Sequence, residues 1–482
     1  MATKEAYLIV DIGTGNARVA VCAIDGEILS IKRENVHYET DTQYEDSIFF
    51  NPEELWSQIL KLSKEALAES GLVKINAITA TSQREGIVVV DQEGKPLLGM
   101  PNIDHRGRKW EIDLQDKDLV YDLSGRYPTS LFSAFKLVGV RVVYPELFEQ
   151  IACVMSISDW IQFQFSGVAG YEHSQASETL LYDVEKKSWS QELLDQFNLS
   201  SIILPVLKDS GSILGDIKAD VSTAFGINPG AVVVVGGGDT QLAIRSMEPS
   251  ANDVVIVSGT TTPIIKIVDS YEKDAEQRTW TSRHIDADNF ILEANAGVTG
   301  LNYQRLKEIF YPNEGYDVIE KELEDATYSQ CVASLGSLIA DEEEPLTKGG
   351  FIFNAPVSHQ LTRGSFVFAI LWDIACSIYE NYKFLSVVSP HQESYIWACG
   401  GGVESRKLRQ FIANLFGKSI KIRDTFRQAS VLGGVFLCND ALGVKNVSPE
   451  LLEEIHPKDH EEFEKLYQEW KNARKTFKEV VS

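Results

Sequence analysis

Paired cysteines are missing from this sequence. Its six cysteines, Cys22, Cys153, Cys331, Cys376, Cys399 and Cys438, are widely scattered, with no CxxC pair and no Cys/His cluster at zinc spacing. A disulfide framework and a zinc module are therefore excluded, and reduced, mostly buried thiols in a cytoplasmic protein are expected. Long apolar runs are also missing. No stretch approaches the roughly 20 apolar residues of a membrane span. Lys4 and Glu5 precede an apolar run that is too short for a signal peptide and breaks at Asp11. Positive charge is scarce: 45 Lys and Arg stand against 70 Asp and Glu, a formal net charge of −25. Binding of nucleic acid or anionic membrane through a general basic surface is thereby excluded. An anionic small ligand is not, because backbone donors and a metal ion in a local cleft can hold phosphate inside an acidic protein.

What remains is a globular composition, 44% hydrophobic and 24% charged over 482 residues. That length exceeds one ordinary core and predicts two large domains. Periodicity predicts strands over 7–10, 18–24 and 27–32, with Asp25-Gly26 as a hairpin turn. A helix follows over 52–69, where Leu55, Ile59, Leu62, Ala66 and Leu67 share one face. Strands are expected over 75–81 and 86–90. A similar start recurs at 254–257 and 263–268, which suggests an internal duplication of pattern rather than of residue identity. The short polar stretch 246–253, with Pro249, places the domain boundary so that 1–245 and 246–482 form the two halves. The charged tail over 449–482 has a helical pattern with a packing or solvating role.

Chemistry concentrates where apolar strands run into small residues. Tyr7-Leu8-Ile9-Val10 leads into Asp11-Ile12-Gly13-Thr14-Gly15. Four valines, Val232 to Val235, lead into Gly236-Gly237-Gly238-Asp239-Thr240-Gln241. Val254 to Val257 leads into Ser258-Gly259-Thr260-Thr261, and 395–398 into Cys399-Gly400-Gly401-Gly402. Small residues let backbone N–H groups approach an anion, and carboxylates at strand ends hold a hydrated metal. Such turns facing one another across a cleft would clamp a metal–polyphosphate. Asp239, at a strand end beside a helix N-terminus, suits proton acceptance from an incoming hydroxyl; the alternative is a simple helix cap. Asp11 reads as a metal-side carboxylate or as an ordinary hairpin residue, and Arg18 as a phosphate contact or a strand-edge charge. Arg84-Glu85 and Asp104 with Arg106 offer charges that grip hydroxyls, or salt bridges at the surface.

In this order the motifs resemble the FGGY carbohydrate kinases of the actin-like ATPase superfamily, over about 7–443. Asp11-Ile12-Gly13-Thr14 is similar to the family's first phosphate motif, and Ser258-Gly259-Thr260-Thr261 to its second. Residues 211–239 resemble the approach to its catalytic Asp. Gly400-Gly401-Gly402 with Ser405, Gln410, Ala413 and Gly417 resembles the adenosine motif. Gln83-Arg84-Glu85 is similar to the polyol-contacting triplet of glycerol kinases. Arg84-Glu85-Gly86-Ile87-Val88 with Asn102-Ile103-Asp104-His105-Arg106 and Ile157-Ser158-Asp159-Trp160 looks closest to autoinducer-2 kinases. Xylulokinases usually carry Met-His-Gly where Arg84-Glu85-Gly86 stands. The chain departs from the pattern at 349–365, which is short and has Ala355-Pro356-Val357-Ser358 in place of a Gly-Glu-Arg loop. It also departs at Asn414 and Leu408, where Asp and Trp are common.

The resemblance implies an α/β fold of two actin-like, ribonuclease H-like domains with an ATP/substrate cleft between them. It implies phosphorylation of a hydroxyl on a small sugar, polyol or sugar-like metabolite, autoinducer-2-like or pentulose-like, with ATP and Mg²⁺. Asp239 is then the base, and Asp11 with Asp239 the metal side. Gly13, Thr14, Gly259 and Thr260 face phosphate, and Gly401, Gly402 and Gln410 or Asn414 face adenosine. Arg84, Glu85, Asp104 and Gln241 contact substrate. No nucleic-acid or membrane partner is expected, and the resemblance is compatible with a homodimer. An ATPase acting on a protein partner and a non-catalytic sugar sensor are the alternatives; Arg84-Glu85 and the lack of a peptide-binding domain speak against the former.

Overall fold

A computed structural model describes residues 3–481, except 45, 287, 325, 327–329, 341, 343–344 and 459–460. The ends of the expected halves at Met1 and Ser482 lie outside the described residues. The first half is built on β1 (Lys4–Ile12), β2 (Asn16–Ala23), β3 (Ile28–Asn35), β4 (Val73–Ser82), β5 (Ile213–Asp216) and β6 (Val232–Gly238). They form one sheet in the order β5-β6-β4-β1-β2-β3. The second half is built on β7 (Val254–Val257), β8 (Thr261–Val268), β9 (Trp280–Arg283), β10 (Phe290–Val298), β11 (Tyr395–Cys399), β12 (Ser419–Arg423) and β13 (Leu451–Ile455). Their order is β9-β10-β8-β7-β11-β12-β13.

The two sheets share a topology. In β3-β2-β1-β4-β6 and in β10-β8-β7-β11-β12, three antiparallel strands are followed by two that run parallel to the first. The repeat anticipated from pattern is thus one of strand order. This is the actin-like, ribonuclease H-like arrangement, and the carboxyl ends of its parallel strands gather each half's turns on one edge, where ligands of open α/β sheets bind.

Among the helices around the sheets are α1 (Pro52–Glu69), α2 (Asp239–Met247), α3 (Gly300–Phe310), α4 (Arg363–Val388), α5 (Arg406–Phe416), α6 (Ala429–Leu442) and α7 (Glu461–Val481). Asn51 caps α1 by accepting the Glu53 N–H, with Pro52 in the first turn, and Leu55, Ile59, Leu62 and Ala66 are buried under the first sheet. β1 is buried on both faces, which is why it reads as a continuous apolar run rather than an alternation.

Its other face is covered from the far half of the chain. Val431, Val435, Phe436 and Cys438 of α6 pack against Tyr7, Ile9 and Val234. Conversely, α2 carries Ala243, Ile244 and Met247 into the second core, with Val255 and Ile256. The helices cross at Gly433, where a Cβ would lie 2.1 Å from the Leu242 carbonyl oxygen, so only glycine allows this approach. A smaller three-stranded sheet (Pro96–Met100, Ile87–Val90, Cys153–Ser156) has its own apolar cluster, including Phe132, Phe135, Leu137 and Leu193.

The tail corrects one expectation. Residues 451–455 form not a helix but β13, an edge strand antiparallel to β12. The open edge of β12 and the Arg409–Glu453 ion pair (2.5 Å) override a local pattern compatible with helix. Only 461–481 is helical; Trp470 of α7 donates to Asp373 of α4 at 2.7 Å, which is a packing role. No disulfide joins the six cysteines, and all but the half-buried Cys153 are buried. Among the described residues no helix is long and apolar enough to cross a membrane.

Candidate active site

Strand register sets the geometry. Asp11 pairs with Thr81 across β1 and β4, and Thr81 with Gly237 across β4 and β6. Asp11 and the start of α2 therefore lie two strands apart, about 10 Å along the hydrogen-bonding direction. Asp11 is 1% exposed. Its Oδ2 accepts from Arg18 Nη2 and from the Ser430 hydroxyl, each at 2.6 Å, while Oδ1 has no partner within the protein. Arg18 also reaches Gln428 (3.1 Å) and thus faces into the cleft rather than outward.

Asp239 opens α2 after Gly238, the N-cap residue. Its Oδ1 accepts from the Thr240 N–H at 2.7 Å. Burial, and next the Asp11 charge, push its carboxyl up to about 6, against the pull of Arg84. The backbone just before it is pinned from behind. The Gly238 N–H donates to Ser174 Oγ (3.0 Å), and that hydroxyl donates to Glu172 (2.5 Å). Glu172 also accepts from the Gln175 N–H and the Ser210 hydroxyl. Ser174 and Glu172 carry no sequence signal, since a two-residue contact made 64 residues away from Gly238 has no local period.

Among the residues expected to contact substrate, Arg84 is 7% exposed, and its two Nη atoms pair with Glu293 of β10 at 2.5 and 2.9 Å. It belongs to a buried pair spanning the halves, not to a surface salt bridge. Glu85 is buried, with φ +62°. Burial lifts its carboxyl to about 8, with Glu178 adding and Arg84 opposing. Lys136, fully buried, donates to the Asp104 carbonyl (2.9 Å), and burial lowers it to about 8. Gln241 is completely buried, and neither end of its amide has a protein partner. Asp104 is placed differently: Oδ1 accepts from the Ile48 N–H (2.8 Å) and Oδ2 from Arg106 Nε (2.7 Å), so both oxygens are engaged in holding the 102–106 loop. Thr14 joins this loop through the Asn102 side chain (3.0 Å), and its carbonyl accepts from Tyr38.

The second sheet presents turns without charge. Ser258 N–H donates to the Cys399 carbonyl, and Gly402 N–H to the Ser258 carbonyl, both at 2.8 Å, which locks the two glycine turns together. Gly400, at φ +94°, would place a Cβ 2.3 Å from that same Ser258 oxygen. Beside the turns lies a cavity of about 890 Å³. Gly259, Thr260, Gly401, Gly402 and Gln410 line it together. Asn414 does not: its Oδ1 accepts from Gln410 (2.9 Å) and from the Lys458 N–H (2.7 Å). Sequence reasoning missed the N-terminus of α3, where Gly300, Leu301 and Gln304 line the cavity beside Thr260. A helix N-terminus there adds donors for an anion; Gly300 ahead of a helical period was the available signal. Lys321, Arg406, Lys407, Arg427 and Lys458 were also missed. They give the lining five cations against four carboxylates, unlike the chain's net charge of −25.

One segment joins the two sides. The Phe426 carbonyl accepts from the Gly400 N–H, Gln428 accepts from Arg18, and the Ser430 hydroxyl donates to Asp11. The glycine turns of the second sheet and Asp11 of the first are therefore coupled over five residues.

Two sheets of ribonuclease H-like order, with carboxylate turns on one and glycine turns on the other, define the class of actin-like folds. The family model "FGGY family of carbohydrate kinases, N-terminal domain" matches residues 6–245, and the C-terminal domain model matches 342–442. A Bacillus subtilis (strain 168) protein, YoaC, a sugar kinase by name, is 45% identical over 479 residues, covering 99% of this chain and 98% of its own. The autoinducer-2 kinase of Escherichia coli (strain K12) is 23% identical over 506 residues, covering 97% of this chain and 94% of its own. The crystal structure of a xylulose kinase from Lactobacillus acidophilus superposes with a TM-score of 0.85 at 18% identity, covering 99% of both chains. The chain belongs to the FGGY family of carbohydrate kinases, phosphotransferases with an alcohol group as acceptor.

Proposed function

We propose that this chain transfers the γ-phosphoryl group of ATP to a hydroxyl of a small sugar, polyol or sugar-like metabolite, autoinducer-2-like or pentulose-like. The observation that carries the reading is the coupling of Asp11 to the glycine-lined cavity through residues 426–430, with Asp239 near enough for the Asp11 charge to raise its carboxyl. Asp239 accepts the proton of the substrate hydroxyl as the new O–P bond forms and the bond to the leaving ADP oxygen breaks. With its carboxyl near 6, it is ionised at neutral pH yet basic enough to take that proton. The Thr260 turn and the α3 N-terminus hold the phosphates through backbone donors, and Gly401, Gly402 and Gln410 border adenosine. Thr14 and Gly13 lie on the phosphate side of the first sheet. Arg84, Glu85 and Gln241 contact the sugar, and Asp104 supports them by holding the loop.

The residues fit a divalent cation: Asp11 Oδ1 is a buried carboxylate oxygen with no protein partner, close enough for its charge to raise Asp239. Asp11 and Asp239 would hold Mg²⁺, which when bound neutralises phosphate charge. The test is ADP release with Mg-ATP across glycerol, erythritol, xylitol, D-xylulose, D-ribulose, gluconate and open-chain autoinducer-2. A phosphorylated product from one of them supports the reading. ADP formed only with a protein partner and no phosphorylated small product overturns it.

A further inference from the structure

The substrate side contains more buried charge than contact with hydroxyls needs, and within one cluster of four residues that charge cancels. Arg84 is held fork to fork by Glu293, at 2.5 and 2.9 Å. Arg126 pairs with Glu178, and its Nη1 lies 3.8 Å from Glu293; Arg84 Nη1 lies 3.6 Å from Glu178. Two guanidiniums thus face two carboxylates, all of them buried. Burial pushes the Glu293 carboxyl up, but Arg84 and Arg126 together hold it below the ordinary range, so it stays ionised.

This cluster stands beside the reacting group. Arg84 acts on Asp239, and a Cβ on Gly238 would lie 3.4 Å from Arg84 Cγ and 2.5 Å from Gln241 Oε1. Several buried polar atoms here lack a protein hydrogen-bond partner: both amide ends of Gln241, Glu178 Oε2, and Arg126 Nε and Nη1. They include donors and acceptors. A hydroxyl can satisfy both kinds, whereas a carboxylate only accepts. An anion brought here would also meet Asp239 and Asp11 while Arg84 is already neutralised by Glu293.

We propose that Glu293, from the second half of the chain, determines specificity by neutralising Arg84, so that the substrate is an uncharged polyol or ketose and sugar acids are rejected. This rests on the sugar-kinase reading above and narrows it. Arg84 is the one substrate-side guanidinium next to Asp239, and without Glu293 it would offer a fork matched to a carboxylate.

The test uses the full chain and length-matched probes: glycerol with glycerate, erythritol with erythronate, xylitol and D-xylulose with D-xylonate, and D-gluconate. Each is measured by ADP release and, without turnover, by titration calorimetry. The neutral member of a pair should be preferred by at least about 100-fold in kcat/KM, the scale of an unmatched polar or like-charge contact. Glu293→Gln should narrow that ratio by roughly tenfold or more, the size of one lost charge contact, with the KM for ATP unchanged. A merely structural role would lower both members alike. The wild-type ratio stands as a test even if the variant does not fold. A sugar acid used or bound as well as its neutral partner overturns the proposal, as does an unchanged ratio in folded Glu293→Gln. Neutral compounds that bind without forming ADP overturn the kinase reading and keep the charge preference. Silence in both measurements across all probes overturns both.

Discussion

The two sheets have one topology and opposite chemistry. At the carboxyl ends of the first sheet's strands stand Asp11 and Asp239, with Arg18 and Arg84 beside them. At the corresponding ends of the second stand Ser258-Gly259-Thr260 and Gly400-Gly401-Gly402, with no ionisable side chain in either turn. Strand order therefore fixes where a site forms but not what it does. On the function proposed above, the first half supplies the groups that take a proton and attract a cation. The second supplies backbone donors and space, which suit a bulky anion. The α2–α6 crossing ties the halves together, because each helix buries apolar surface in the core of the other half.

That division predicts which kinetic constant each half controls. The largest effect should come from Asp239→Asn, which should lower kcat by about 10²–10⁴-fold, the range for loss of a general base, with the KM for ATP little changed in a coupled ADP assay. Turnover near wild type would break the assignment. Gly300→Ala is the converse experiment. Its Cβ would lie 2.1 Å from the Gly259 carbonyl oxygen. An overpacking cost of about 1–3 kcal/mol placed on the phosphate turn should raise the KM for ATP by roughly tenfold or more. A fall in kcat alone would contradict it.

Ser174→Ala removes the acceptor of the Gly238 N–H, a loss of about 1–3 kcal/mol where a buried donor is left unpaired. It should lower kcat without touching the KM for ATP. The smallest effect sharpens the comparison through pH. Burial first, and the nearby Glu172 charge, raise the Asp159 carboxyl to about 8, against hydrogen bonds from Ser156 and the Glu172 N–H. The folded chain holds this proton while the unfolded chain, at its ordinary value of 3.8, releases it. Stability from this group is therefore complete below about pH 4 and is lost progressively up to about pH 8. Asp159→Asn should flatten the decline of Tm between pH 5 and pH 8, measured without metal or ATP. An unchanged slope would show that Asp159 is not protonated in the fold.

Much of this was legible in the sequence, and the reason is local. α1 begins and ends where its apolar period and Asn51-Pro52 place it, and β7 spans the predicted 254–257. The glycine turns could be found because glycine is costly unless a backbone approaches or φ is positive, as at Gly400. β13 was not legible, because an edge strand is decided by the partner that offers a ladder. That the Ile48 N–H and Arg106 meet the two oxygens of Asp104 was not legible, because both contacts are decided by the folded loop. Ser174 and Glu293 were silent for the same reason, since each meets a residue far away in the chain, and Glu172 acts through Ser174.

By itself the sequence determined the two-half α/β plan, the turns, and Asp11 and Asp239 as the carboxylates that end their strands, because strand period and turn chemistry are set over a few adjacent residues. Only the tertiary structure decided which groups meet. It set Asp11 against Asp239 through the register of β1, β4 and β6, closed Arg84 onto Glu293 from the other half, and brought Ser430 to Asp11. The physical reason is that charge and hydrogen bonding act through space within a few ångströms, while the chain specifies neighbours only along its own length.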